Sequence, residues 1–138
     1  MKNNFFSLAI ASFLLLSFAT LAQNSDKKFK NILIGTWSGS EEGNQIKGVT
    51  KYWIQERNKN GTFMLMYTAI TDCKAVNLIE KGKWWIKDGL FYEMTEDSDK
   101  PDIYEVTILE DGKIHFKAKV LTIEFENGNY EFTETKID

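Results

Sequence analysis

Residues 104–119 read Tyr104-Glu105-Val106-Thr107-Ile108-Leu109-Glu110-Asp111-Gly112-Lys113-Ile114-His115-Phe116-Lys117-Ala118-Lys119. Tyr104, Val106 and Ile108 alternate with Glu105 and Thr107, and Ile114, Phe116 and Ala118 alternate with His115, Lys117 and Lys119. Side chains in an extended chain point to opposite faces in turn, so this period of two predicts strands with one apolar and one wet face. Asp111-Gly112 lies between them, and Asp-Gly tolerates the positive φ angles of a tight hairpin turn. The stretch therefore predicts an antiparallel hairpin.

The same pattern extends in both directions. Turn residues recur at Glu42-Gly43-Asn44, Asn60-Gly61, Asp88-Gly89 and Asn127-Gly128, and the patch Asp97-Ser98-Asp99-Lys100-Pro101 adds another break. The segments between them are rich in Val, Ile, Thr, Tyr, Phe and Trp, and they predict strands near 34–40, 46–57, 62–70, 76–86, 89–95, 102–109, 113–119, 121–126 and 129–137. The seventh and eighth also read as one bent strand, which leaves the count at eight or nine. Upstream, Phe29, Ile32 and Leu33 share a face of a short helix that Ser25 or Asp26 would cap. Such a chain is all-β: an antiparallel up-and-down β-barrel with a short N-terminal helix, or alternatively a β-sandwich.

Composition narrows the function classes. The chain carries 4 Trp, 5 Tyr and 10 Phe, more apolar payload than a disordered chain holds. A net charge of -3 argues against nucleic acid as partner. With one Cys and one His, neither a disulfide framework nor a structural zinc site is expected, and no metal or cofactor is implied. Cys73 is expected to be a small buried hydrophobe. Residues 1–22 have the form of a secretory signal peptide: Lys2, a short apolar run from Phe5 to Phe18, then Thr20-Leu21-Ala22 with small residues placed for cleavage. The expectation is a secreted or periplasmic domain over 23–138, with no stable membrane insertion after cleavage.

Leu33-Ile34-Gly35-Thr36-Trp37 places a Gly-x-Trp signature at the first strand, directly after the helix. With the meander that follows, it resembles the lipocalin-like (calycin) proteins, in particular small secreted bacterial domains. The resemblance implies an eight-stranded barrel whose interior binds a small, mostly apolar molecule. It also implies that Gly35 and Trp37 close one end of the barrel, with a basic side chain from the last strand over the indole. Lys136 stands where the family more often has arginine.

Candidate binding residues follow from side-chain chemistry. Trp53, Gln55 and Arg57 share one face of the second strand, and Arg57 is the only arginine. Its planar fork suits an anionic headgroup, and equally an ion pair with a cross-strand Glu. Tyr67, Trp84, Tyr92 and Tyr104 lie on successive strands; aromatics with a polar tip suit either a ligand cavity or plain core packing. Trp85 opposes Trp84 and marks a possible protein contact. Met64 and Met66 oppose Phe63 and Leu65, which predicts a strand covered on both sides, by the N-terminal helix or by a second copy. His115 falls on the polar face, away from a haem-ligating position. Without a nucleophile motif, metal-ligand spacing or phosphate loop, the chain reads as a non-enzyme. The leading expectation is non-enzymatic binding of a small hydrophobic molecule. The rival is a filled barrel that acts as an interaction or homodimer module.

Overall fold

A computed structural model describes residues 25–122 and 129–138. Helix α1 (25–33) leads into eight strands: β1 (Gly35–Glu42), β2 (Thr50–Arg57), β3 (Thr62–Thr71), β4 (Lys74–Lys87), β5 (Leu90–Thr95), β6 (Asp102–Ile108), β7 (Lys113–Val120) and β8 (Glu131–Lys136). Each strand pairs antiparallel with the next. β8 returns to β1 through Trp37↔Lys136, Ser38↔Thr135 and Gly39↔Glu134. That last pairing closes the cylinder and removes the sandwich alternative, because a closed sheet leaves no unpaired first and last strand.

The turns carry out the instructions in their residues. Asp88-Gly89 and Asp111-Gly112 both place two successive residues at positive φ, as a two-residue hairpin turn of this hand requires. Three expectations are corrected. The second strand begins at Thr50 rather than 46, because residues 43–49 close a loop on the Gly43 N–H···O=C Val49 hydrogen bond. Cys73 is exposed, since Asp72 and Cys73 form the tight β3–β4 turn at positive φ, where side chains face solvent. Helix α1 does not cover Met64 and Met66, which remain exposed on the outer face of β3. The signal peptide 1–22 and most of the expected strand 121–126 lie outside the described residues.

Helix α1 packs instead against the end of the barrel where β1 starts. Leu33 joins the core, with Phe29 and Ile32 against it. Asp26, a residue of the helix rather than a free cap, accepts the Asp88 and Gly89 N–H groups at 3.0 Å each. The Trp37 indole N–H donates to the Leu33 carbonyl at 2.9 Å, and the Lys136 ammonium lies 5.5 Å from the Trp37 ring centroid. Gly35 sits at φ +126°, and a Cβ there would press on Lys136 and the Asp138 carbonyl, so a larger residue would disturb this seal. Trp84 completes it, with its indole N–H directed at the Asn58 and Thr62 carbonyls and the Lys30 ammonium 5.4 Å from its ring centroid.

Inside, the sealed half is solid. Phe91, Phe116, Ile114, Phe63, Trp37 and Trp84 interdigitate there, with Phe116 stacked on Phe132 at 4.8 Å and edge-on to Phe91 at 5.3 Å. The opposite half is not filled, and the candidate site lies there.

Candidate functional site

Descending β2 from the open mouth, the inward side chains are Lys51, Trp53, Gln55 and Arg57. The first three line a cavity of about 650 Å³, whose apolar wall includes Leu65, Tyr67, Leu78 and Phe132. Its size falls within the roughly 300–1,000 Å³ typical of small-molecule sites. Trp53, Phe132 and Tyr104 form a continuous aromatic wall, with centroid separations of 5.6 Å and 5.7 Å. Trp53 fits because Gly39 faces it from β1; a methyl group there would overlap the indole. A separate depression between β1, β2 and β8 on the outside is lined by Ser, Thr, Gly, Tyr52 and Trp53, with no charged group.

The floor of the cavity is a polar layer above the aromatic core. Arg57 donates to Glu134 Oε2 at 2.7 Å and to Gln55 Oε1 at 2.8 Å. Glu134 also accepts the Trp53 indole N–H at 2.9 Å, and Gln55 donates to Glu93 at 2.5 Å. Below this layer the Arg57 guanidinium lies 5.1 Å from the ring centroids of both Phe91 and Phe116. Arg57 is 1% exposed and Glu134 0%, so their ion pair is taken fully out of water. Of the two readings of Arg57, the geometry is that of the ion pair with a Glu. Its partner sits on β8, two strands away around the barrel closure.

Glu93 differs from Glu134. It lines the cavity without an arginine of its own, and burial pushes its carboxyl up to about 7. Arg57 and the Gln55 amide pull the value back, while Glu134 and Asp102 raise it further. The native state therefore holds more protons than the unfolded chain between the ordinary carboxylate value and about 7. Across that window Glu93 costs stability as pH rises. Glu93→Gln is expected to stabilise the protein by about 2–3 kcal/mol at pH 8 and to leave it near wild type at pH 4. The amide oxygen of Gln would still accept from Gln55. Urea denaturation at both pH values checks this, and an equal difference at the two would contradict it.

At the mouth, the Lys51 ammonium lies 3.9 Å from Glu41 and 5.3 Å from the Tyr67 ring centroid. Burial lowers the Lys51 ammonium and raises the Glu41 carboxyl, each opposed by the other's charge. Burial also raises the hydroxyls of Tyr104 and Tyr130, which stay neutral near pH 7.

Among the expected binding residues, Trp53, Tyr67 and Tyr104 come together on the cavity wall. Arg57 lies beneath the floor and Trp84 in the sealed half. Tyr92 is outside the barrel, stacked on Trp85 at 5.3 Å, because its strand neighbours Phe91 and Glu93 point inward. Glu134 and Glu93 are the functional groups that alternation did not single out. On β5 the apolar residues Leu90, Tyr92 and Met94 share one parity, so the pattern favours the wrong inner face. Glu56, on the same strand as Arg57, is exposed on the outer face. His115 also faces outward, 3.2 Å from the Thr133 hydroxyl and 3.5 Å from Glu131. Among the described residues, no group of three or more His, Cys, Asp or Glu is placed to hold a metal. No protein-family model and no curated protein matches this chain.

Proposed function

We propose that this chain is a lipocalin-like, non-enzymatic carrier that works outside the cytoplasm and holds a small amphipathic molecule in the open half of its barrel. The observation that carries the reading is the cavity of about 650 Å³, apolar on its walls and polar at its floor. Burying an apolar ligand body there is worth about 25 cal/mol per Å² before the entropic cost of association. Support for the lipocalin type comes from Gly35-Thr36-Trp37 after a short helix, with Lys136 over the indole. Support for export comes from the leader-like composition of residues 1–22. The rival interaction module depended on a filled interior, and half of this interior is open.

The test is native mass spectrometry of protein from its own host, paired with titration of Nile red as a neutral apolar probe. The expected result is a co-purified small molecule or saturable Nile red binding, and Leu65→Trp, which fills the cavity, should weaken that binding by about tenfold or more. Absence of both ligand and probe binding, or Nile red binding that Leu65→Trp leaves unchanged, would overturn the carrier reading.

A further inference from the structure

The cavity's charges say which end of an amphiphile it accepts. Glu80, Glu93, Asp102 and Glu134 line it, against Lys51 and Lys100. The lysines belong to the mouth: Lys51 is two inward positions above Gln55 on β2, and Lys100 lies in the β5–β6 loop. Lys51 is already met by Glu41 and by the field of Glu80. Beneath the floor, Arg57 is the nearest cation among the described residues, and it spends two donors on Glu134 and Gln55. The floor thus carries Glu93 in excess, with a single hydrogen bond from Gln55. An anionic headgroup reaching this depth would meet two carboxylates before it met the guanidinium.

The wall above the floor points the same way. Trp53, Phe132 and Tyr104 are contiguous, and aromatic faces attract cations through their quadrupoles. A carboxylate under an aromatic wall offers an ammonium group a charged hydrogen-bond acceptor together with ring faces that attract cations. Resting on the carrier reading, the geometry points to an alkyl or aryl amine as the ligand class, with the protonated nitrogen on the Glu93 carboxylate and the apolar body against Leu65, Tyr67 and Leu78. Such a ligand supplies the counter-charge that Glu93 lacks. It should therefore favour the ionised carboxylate and bind with release of a proton at pH values below about 7.

The charged and titratable groups facing Glu93 are Arg57 on β2, Asp102 and Tyr104 on β6, Glu134 on β8, and Tyr130 just before β8. Glu80 on β4 lines the same cavity. Glu93 itself, raised to about 7 by burial, changes charge near neutrality.

Calorimetric titration of the wild type with decylamine, decanol and decanoate tests the assignment. At pH 8 decylamine should bind about tenfold or more tighter than decanol, with decanoate weakest. The preference should shrink by up to about tenfold per unit as pH falls below 7. Glu93→Gln should abolish the amine preference while decanol affinity stays within about twofold, which also shows that the variant is folded. Equal affinity for decylamine and decanol, tighter decanoate, or an amine preference that survives Glu93→Gln would overturn the amine assignment and leave the carrier reading intact. Failure of all three to bind would overturn both.

Discussion

Replacing Glu134 by alanine is expected to cost about 3–5 kcal/mol of stability, because it strands a fully buried guanidinium. Arg57, 1% exposed, would lose its 2.7 Å partner, and the buried Trp53 indole N–H would lose its acceptor. The pair is not stabilising merely by being an ion pair. Desolvating both ions costs about what their attraction returns, so the penalty arises from leaving one without the other. The double variant Arg57→Met with Glu134→Leu should accordingly recover most of the loss. Urea denaturation of the three variants checks both statements. A single-variant loss below about 1 kcal/mol would mean that water reaches this layer in solution.

Phe116→Ala should have a comparable effect, about 3–5 kcal/mol, for a different reason. Its ring is completely buried, stacked on Phe132, edge-on to Phe91 and Tyr104, and within reach of Arg57. The closed sheet holds the surrounding strands apart, so the void left by the ring cannot collapse, and cavity cost adds to lost transfer energy. Met66→Ala, an exposed position on the outside of β3, should stay within about 0.5 kcal/mol of wild type. Thermal or urea melts of the two variants side by side separate inside from outside. Similar losses in both would show that the outer face of β3 is covered in solution.

Much of the fold was legible because it rests on local rules. Alternation in residues 104–119 places Tyr104, Ile114 and Phe116 inside and Glu105, Lys117 and Lys119 outside, as found. Asp-Gly turns set the hairpin boundaries. Where alternation is ambiguous the reading fails: β5, with apolar residues on both parities, hid Glu93 and put Tyr92 inside. The break between the strands near 62–70 and 76–86 was legible, but the tight Asp72-Cys73 turn within it was not, because it contains neither Gly nor Asn. The cavity wall was found in part, through Trp53, Tyr67 and Tyr104, since polar-tipped aromatics at inward positions stand out among aliphatics.

By itself, the order of residues determined that this chain is a meander of antiparallel strands behind a short helix. Period-two patterning and turn chemistry act over a few residues and need no distant partner. It could not decide whether the barrel is empty or full, since both states use the same inward residues. That outcome depended on depth along the axis: Phe91, Phe116, Trp37 and Trp84 all fall in one half, leaving the other to a wall and a polar floor. Nor could it pair Arg57 with Glu134, 77 residues apart. Only closure of β8 onto β1 brings those charges together, and so only the tertiary structure left Glu93 as the unmatched charge at the bottom of the cavity.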